Sequence, residues 1–186
     1  MSELVILLEE ASAEALLTGL LPRLLPESMR VRTIVFDGRQ DLEKHLARRL
    51  RGYRVPGARF LVLRDQDAAD CHVVKNRLLE KCREAGRTNA LVRIACHELE
   101  NWYLADLAAV ERGLELKGLS AKQRNRKYRE PDRIANAAEE LAKLTDHRYQ
   151  KVGGSRAIGP YLDTANTLSR SFAVFVDGLR KLVAKI

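Results

Sequence analysis

Residues 60–70 read FLVLRDQDAAD, and this stretch decides the fold class. Its apolar beginning is typical of a strand that is covered on both faces of a parallel sheet, and three aspartates follow where that strand would end. Similar apolar runs occur elsewhere in the first half of the chain: LVILL at 4–8, VRTIVF at 31–36 and LVRIAC at 91–96. Helical patterns separate these runs. The sequence therefore predicts an α/β fold, a parallel sheet of about four strands with helices on both faces.

The helices of the first half are predicted from apolar residues that recur at helical spacing. They are expected over 12–25, 40–51 and 69–85. Pro22 lacks an amide donor, so it should kink or split the first of these helices.

After Cys96 the pattern changes to helices alone. One helix is predicted to begin near Glu98 and to include Val110, another covers 132–144, and a core-facing helix covers 167–185. The glycines of KVGGSRAIGP, residues 151–160, predict a loop.

The length of 186 residues favours a single domain, 1–186. We expect an α/β core in 1–115 and a basic helical C-terminal part in 116–186 that packs on it. The formal charge is +8, and the segment 117–156 contains eleven Lys and Arg residues against five Asp and Glu residues. Such a segment is either an ordinary solvated surface or a face that binds a polyanion such as nucleic acid.

Composition excludes several classes of protein. Hydrophobic residues make up 46% and charged residues 31% of the chain, which is typical of a globular protein rather than a disordered one. Three cysteines without a CxxC pair favour a reducing cytoplasmic location over a disulfide framework. No apolar run approaches the roughly 18 residues that cross a bilayer, and the first ten residues do not resemble a signal peptide. We therefore expect a cytoplasmic protein without a membrane partner.

Carboxylates follow three of the four predicted strands. In parallel sheets ligands bind beyond the carboxyl ends of the strands, so these acids are expected to converge. Asp65 and Asp67 are two residues apart, and in extended backbone both would point the same way. Closely placed carboxylates suit a hard cation such as Mg²⁺ or Mn²⁺. The candidate metal ligands are Glu9, Asp65, Asp67, Asp70, Glu98 and Glu100.

A structural interpretation competes with the metal site, because acids also cap helices and stabilise the helix dipole. It is favoured for Glu10, Glu14 and Asp70. It is weaker for Asp65 with Asp67, since one cap needs one carboxylate.

At these residues the sequence resembles the TOPRIM fold, which has a glutamate after the first strand and an Asp-x-Asp after the third. Glu9 and the pair Asp65/Asp67 match that pattern. Nearly the whole chain resembles the bacterial family called domain of unknown function 4276, which is TOPRIM-like and related to the overcoming-lysogenization-defect nucleases. The matching segments are LLEEASAEALLTGLLPRLLP, FDGRQDLEKHL, RDQDAADCHVVKNRL, RIACHELENWYLAD, YREPDRIA and RSFAVFVDGL.

The resemblance implies a metal-dependent nuclease or nuclease-like effector that acts on the phosphodiesters of DNA or RNA. It also implies an AAA- or ABC-type ATPase partner and a role in phage defence, and a homo-oligomer is open. Glu9 would serve as a general base as well as a ligand. Two residues depart from the pattern: Glu10 replaces the usual glycine, and Arg64 precedes the Asp-x-Asp. Arg64 is either a phosphate contact or an ion-pair partner of the acids.

Further candidates for contacts with the nucleic-acid backbone or the leaving oxygen come from the basic C-terminal half: Lys151, Arg156 and Arg170. Ordinary surface charge is the alternative for each. Trp102 and Tyr103 could stack on a base, but core packing is favoured. A zinc site at the Cys71-His72 and Cys96-His97 pairs has little support, because Cys96 ends an apolar run.

Two other functions remain open. The protein could be a non-catalytic binding or regulatory subunit of an ATPase complex. It could also be a phosphohydrolase of the haloacid dehalogenase type, in which the first aspartate of an Asp-x-Asp is the nucleophile. That motif normally follows the first strand, whereas here it follows the third.

Overall fold

The computed structural model describes residues 3–184 and contains one four-stranded parallel sheet in the order β2-β1-β3-β4. All four predicted strands are confirmed. They are β1 (Glu3–Leu8), β2 (Arg30–Val35), β3 (Arg59–Asp65) and β4 (Leu91–Ala95). β1 is buried along its whole length, which explains its unbroken apolar sequence.

Three helices connect the strands: α1 (Ala11–Leu20), α2 (Gly38–Gly52) and α3 (Cys71–Glu84). The predicted split at Pro22 is confirmed, because α1 ends at Leu20 and a 3₁₀ turn, Leu21–Arg23, follows it. These crossovers carry the chain from one parallel strand to the next and place helices on both faces of the sheet.

The second half of the described chain is helical, as predicted. Its α-helices are α4 (Glu100–Leu104), α5 (Leu107–Gly113), α6 (Ala137–Leu144), α7 (Lys151–Ile158) and α8 (Arg170–Ala184). Short 3₁₀ turns lie between them at Ser120–Arg124, Arg126–Tyr128, Pro131–Arg133 and Gly159–Tyr161. Within 3–184, no helix combines the length and the apolar character that crossing a bilayer requires.

Several predicted helix boundaries are wrong. The helix expected from Glu98 to Val110 is two helices, because the Asp106 side chain accepts a hydrogen bond from the Ala109 amide and starts α5. The helix expected over 132–144 begins only at Ala137. In the segment 167–185, α8 begins at Arg170, and residue 185 lies outside the described part of the chain.

The predicted loop at 151–160 is wrong, because most of it forms α7. Its glycines serve close packing rather than a turn. A methyl group on Gly154 would lie 2.4 Å from the Tyr149 ring, and one on Gly159 would lie 2.4 Å from the Leu16 carbonyl oxygen of α1. α7 can therefore lie directly against α1.

Two hydrophobic clusters cover the two faces of the sheet. One contains Leu4, Ile6 and Leu8 of β1 and extends through α1 into the C-terminal helices, including α8. The other joins the opposite face of the sheet to α2 and α3. The first cluster combines residues from both predicted parts of the chain. The single domain stays a prediction. The first cluster extends to the last residues of β1 and β4, Leu8 and Ala95.

The aromatic residues after β4 belong to the core. Trp102 and Tyr103 are buried, and the Trp102 ring lies 5.2 Å from the ring of Phe172 and 5.0 Å from that of Phe175. This confirms the prediction of core packing over base stacking.

Candidate functional site

The carboxyl ends of β1 and β3 bring two predicted site residues into contact. The backbone amide of Asp65, the last residue of β3, donates a hydrogen bond to Glu9 Oε2 at 3.2 Å. β1 and β3 are neighbours in the sheet, so the residue after β1 meets the end of β3. Glu9 interacts with both aspartates of the motif, because the charge of Asp67 acts on Glu9 and the charge of Glu9 acts on Asp65.

Asp65 and Asp67 do not point the same way, contrary to the argument from an extended backbone. Asp67 lies beyond the end of β3, and its φ of 58° is in the left-handed region. Its amide donates a hydrogen bond to the His97 carbonyl at 2.8 Å. Its carboxylate lies towards Arg39 and Arg64. Asp65 instead experiences the charges of Glu100, Glu9 and Glu10. The two carboxylates of the motif therefore belong to two neighbouring groups. Asp67 lies with Arg39 and Arg64 in the first group, and Asp65 lies with Glu10 and Glu100 in the second.

Arg64 holds the first group together. Its side chain is only 3% exposed, and Nη1 donates to Glu43 Oε1 at 2.6 Å. Its Nε lies 3.6 Å from Glu9 Oε2, and its Nη2 lies 3.8 Å from Asp67 Oδ2. The guanidinium is thus an ion-pair partner of three acids, which favours this interpretation of Arg64. A direct contact with phosphate would require it to leave these partners.

Glu100 is the fully buried member of the second group. Its Oε1 accepts a hydrogen bond from the Tyr149 hydroxyl at 2.8 Å. The neighbouring hydroxyls of Tyr103 and Ser155 also bond to each other at 2.8 Å. Oε2 of Glu100 is buried without a hydrogen-bond partner. Such an orphaned oxygen is costly unless a positive charge or a ligand lies near it.

Lys151 supplies positive charge beside this second group. Its Nζ lies 2.9 Å from Oε1 and 3.0 Å from Oε2 of Glu10, and about half of the side chain is exposed. Partial burial lowers the pKa of Lys151, but the hydrogen bond to Glu10 and the charges of Glu100 and Asp65 outweigh burial and raise the pKa. Lys151 is therefore protonated at neutral pH and still accessible.

Three carboxylates of the site have raised pKa values. Burial, and then the charge of Asp67, raises the pKa of Glu9, while Arg64 partly offsets both. Burial and the charges of Glu100, Glu9 and Glu10 raise the pKa of Asp65 well above its ordinary range. Burial also raises the pKa of Glu100, against the hydroxyl of Tyr149 and the charge of Lys151. Perturbed acids gathered at one edge of a sheet are a feature of functional sites.

Two predicted metal ligands have other roles in the structure. Asp70 caps α3, since Oδ1 accepts hydrogen bonds from the amides of His72 at 2.9 Å and Val73 at 3.0 Å. Glu98 Oε2 accepts a hydrogen bond from the Ala138 amide in the first turn of α6 at 2.7 Å. The geometry favours the capping interpretation for Asp70, and it gives Glu98 an equivalent function at α6.

Two predicted nucleic-acid contacts line other cavities. Arg156 is exposed and borders a cavity between α1, β2 and α7. Arg170 is also exposed and borders a cavity that contains Cys71, Cys96 and Asp132. Of the three basic residues proposed from the C-terminal half, only Lys151 forms an ion pair with an acid of the site.

The site fits a divalent cation in donor type and charge but not in arrangement. Carboxylate oxygens are the ligands that Mg²⁺ and Mn²⁺ prefer, and the raised pKa values and the orphaned Glu100 oxygen indicate uncompensated negative charge. However, among residues 3–184 no three His, Cys, Asp or Glu side chains are grouped closely enough to hold a metal ion. This holds for the Cys71-His72 and Cys96-His97 pairs as well. Arg64 and Lys151 supply the positive charge instead.

Sequence analysis missed three residues of the site. Glu43, in the middle of α2, reads as a surface residue of an amphipathic helix, yet it binds Arg64. Tyr149 lies 49 residues from Glu100, and no local pattern links the two. Arg39, at the start of α2, lies 3.5 Å from Asp67, which follows β3. None of these three had a local signal in the sequence. Glu10 had one, its position after β1 beside Glu9, but its side chain does not form the predicted helix cap and instead binds Lys151.

Comparisons with solved structures match the whole fold. The C-terminal region of the Burkholderia pseudomallei OLD protein is 19% identical, with a TM-score of 0.51, over 97% of this chain and 98% of that chain. The C-terminal region of the Xanthomonas campestris pv. campestris OLD protein is 16% identical, with a TM-score of 0.49, over 99% of this chain and 95% of that chain. At such identities the first likeness shows the fold alone, and it confirms the predicted TOPRIM-like architecture.

The sequence comparisons agree with this result. No curated protein matches the chain significantly. The family described as "Domain of unknown function (DUF4276)" matches residues 8–180, which confirms the predicted relationship. The match covers nearly all of the chain, and the protein belongs to the DUF4276 family.

Proposed function

We propose that this protein is a nuclease that uses Mg²⁺ or Mn²⁺ at Glu9, Asp65 and Asp67 to hydrolyse phosphodiesters of DNA or RNA. The observation that carries the proposal is the contact of Glu9 with Asp65 at the carboxyl ends of β1 and β3, with Lys151 near Asp65. The TOPRIM-like fold supports it, because the resemblance that implies this chemistry assigns it to the same positions.

The described acids are not grouped closely enough to hold an ion as they stand, so Glu9, Asp65 and Asp67 would have to move together on binding it, with Glu100 as a further oxygen donor. A bound divalent cation supplies a water of lowered pKa and neutralises charge on the phosphate. The buried Oε2 of Glu100 has no hydrogen-bond partner to give up, so it is free to accept a charged neighbour. Arg64 would keep Glu9 and Asp67 oriented through its contacts with both.

Glu9 has the properties of a general base. Its side chain is 14% exposed, so water can reach it, and its pKa is raised by burial and by Asp67. A carboxylate accepts a proton more readily when its pKa moves towards neutral pH. Glu9 would therefore take the proton of the attacking water while Asp65 and Asp67 act as ligands.

Lys151 would stabilise the transition state. It is protonated and half-exposed, and its ammonium can exchange Glu10 for a phosphate oxygen without leaving the site. A fixed positive charge beside a developing negative charge lowers the barrier of phosphoryl chemistry. Arg156 and Arg170 would contribute to binding of the nucleic-acid backbone at a greater distance from the reacting atoms.

The test compares Asp67, the second aspartate of the Asp-x-Asp motif, with Asp70, which caps α3 three residues later. Asp67→Asn should abolish cleavage of plasmid DNA and of single-stranded RNA in the presence of Mn²⁺ and should weaken Mn²⁺ binding in calorimetry. Asp70→Ser keeps a residue that can cap α3 but removes the carboxylate, so it should retain both activities. Wild-type cleavage and metal binding unaffected by Asp67→Asn would contradict the assignment.

A second candidate function has one observation in its favour. Arg64 already forms ion pairs with Glu9, Glu43 and Asp67. Acids that are neutralised in this way do not need a metal ion, which favours a non-catalytic subunit that binds an ATPase. A regulatory subunit would bind no Mn²⁺ through Asp65 and Asp67, with or without an ATPase partner. Metal binding that Asp65→Asn removes would exclude this candidate.

A further inference from the structure

β2 forms one edge of the sheet, and among the described residues no strand pairs with its outer side. It is also the most exposed strand: four of its six residues are exposed, whereas β1 is buried throughout. A free edge presents unpaired amide and carbonyl groups to any extended segment that reaches it. The chemistry on the two faces of this edge is very different.

The pairing with β1 defines those faces. Val31 and Thr33 are paired with Leu4 and Ile6, which belong to the cluster that contains α1 and α8. Arg32 is paired with Val5, which belongs to the cluster under α2 and α3. Neighbouring strands keep the same alternation, so a strand added outside β2 would direct alternate side chains to the same two faces.

The face of Val31 opens into a mostly apolar cavity of about 530 Å³ between α1, the 3₁₀ turn after it and α7. Its walls are formed mainly by Leu17, Leu21, Leu25, Met29, Val31 and Val152. Glu14 and Arg156 also border it, and Glu14 accepts a hydrogen bond from the Thr33 hydroxyl. The cavity can therefore receive apolar side chains from an added strand.

The opposite face opens into a basic cavity of about 490 Å³, bordered by Arg32, Arg48 and Arg49 together with Ile34 and Tyr53. The Arg32 guanidinium lies 5.8 Å from the centre of the Tyr53 ring. Within the described part of the chain none of these three arginines forms an ion pair. This cavity can receive carboxylates.

The outer groups of β2 are available for strand pairing. The amide of Phe36, the residue after β2, donates to the Leu8 carbonyl in β1 at 2.9 Å. Backbone groups alternate along a strand, so the amides of Val35, Thr33 and Val31 point away from β1. These residues are also the ones that share the apolar face.

From this arrangement we propose that β2 binds an extended segment of a partner protein in which apolar and acidic residues alternate. The segment adds a fifth strand to the sheet, with its apolar side chains in the cavity beside Val31 and its carboxylates on Arg32, Arg48 and Arg49. Main-chain hydrogen bonds supply affinity in this mode of recognition, and alternate side chains supply specificity.

Charge and polarity favour this occupant over two others. A second copy of the chain pairing through its own β2 would bring arginines close to arginines, which destabilises a strand pair. A nucleic acid would satisfy the arginines but would leave the apolar cavity on the other face unused. Only an acidic and apolar segment matches both faces at once.

The test uses synthetic six-residue peptides, the length of β2, titrated into the full chain by calorimetry. A peptide of alternating leucine and glutamate should bind, while peptides with lysine in place of glutamate, or serine in place of leucine, should not. The double variant Arg48→Glu/Arg49→Glu should bind the acidic peptide at least about tenfold more weakly than the wild type and should bind the lysine peptide instead.

Two controls separate a specific site from general attraction. Arg51→Glu/Arg54→Glu makes the same change in net charge on neighbouring residues that do not border the cavity. This variant should keep the affinity of the wild type for the acidic peptide. Hydrogen exchange should show new protection of the Val31 and Thr33 amides when the acidic peptide is bound. Equal loss in both double variants, unchanged exchange in β2, or displacement of the peptide by a DNA oligonucleotide would each overturn the proposal.

Discussion

At the scale of single residues, Arg64 determines the electrostatics of the site. Its guanidinium is almost fully buried against Glu9, Glu43 and Asp67. A buried charge is tolerated only when partners compensate it, and the same holds for the acids around it. Removing Arg64 would leave Glu9 without its ion-pair partner and Asp67 with Arg39 alone, and it would change both stability and metal affinity.

We therefore expect Arg64→Met to lower the free energy of unfolding by about 3–5 kcal/mol, measured by urea denaturation. Added Mn²⁺ should restore part of that loss, because the ion replaces the missing positive charge. Arg39→Met is the matched control, since Arg39 also approaches Asp67 but is 53% exposed, and it should cost less than about 1 kcal/mol. Equal effects of the two substitutions would contradict the role given to Arg64.

The raised pKa of Glu9 predicts how stability depends on pH. Its proton is held more tightly in the folded chain than in the unfolded chain, so the contribution of Glu9 to stability is fully present below the ordinary pKa of 4.5 and is lost as the pH rises through the raised value. Glu9→Gln removes this contribution. The stability of the variant relative to the wild type, measured by thermal unfolding, should therefore increase as the pH rises above 4.5.

The control for this prediction is Glu139→Gln. The hydrogen bonds of Glu139 with Lys143 and Asn136 lower the pKa of its carboxyl, so neutralising it should have the opposite pH dependence. A pH profile for Glu9→Gln that runs parallel to that of the wild type would show that burial does not raise the pKa of Glu9.

At the scale of elements, α7 positions the second half of the site. It begins at Lys151, carries Ser155 near Tyr103 and Tyr149, and packs along α1. Gly154 and Gly159 allow this close approach because no side chain separates the helix from its neighbours. The helix is therefore a consequence of packing, and its glycines are required for contact.

Adjacent glycines provide the test of this interpretation. Gly154→Ala places a methyl group against the Tyr149 ring and should cost about 1–3 kcal/mol of stability, measured by denaturant unfolding. Gly153→Ala meets nothing within 4 Å and should instead stabilise the chain by up to about 1 kcal/mol, because alanine favours a helix. Similar effects of both substitutions would mean that α7 does not pack as described.

At the scale of the whole molecule, the charge is distributed in two basic regions. The segment 117–156 has a large excess of Lys and Arg residues, as sequence analysis found. The second region is the arginine cavity beside β2, which the overall charge count does not reveal. We propose nucleic-acid binding for the first region and peptide binding for the second.

This division predicts how nucleic-acid binding responds to salt. Lys122, Arg124 and Arg126 are exposed, and replacing all three with glutamine should weaken binding to a DNA duplex and reduce the slope of log affinity against log salt by up to about 3. Arg48→Gln/Arg49→Gln should leave the slope nearly unchanged. Fluorescence anisotropy over a range of salt concentrations measures both, and a larger change in the second variant would reverse the assignment.

The sequence by itself determined the four parallel strands, the crossover helices between them along the chain, and the position of Glu9, Asp65 and Asp67 at strand ends. The order of the strands within the sheet came from the structure. These features depend on local hydrophobic patterns, which act over a few residues and are visible in one chain. It also identified the family, because the motifs around these acids are specific.

Only the tertiary structure decided how those acids are partnered. The contacts of Arg64 with Glu43, of Tyr149 with Glu100 and of Lys151 with Glu10 join residues 21, 49 and 141 positions apart. The glycines of α7 were misread for the same reason, since a glycine that allows close packing has the same sequence signal as one in a turn. Pairing across such distances depends on the packed arrangement of whole elements, and no local pattern in the sequence carries it.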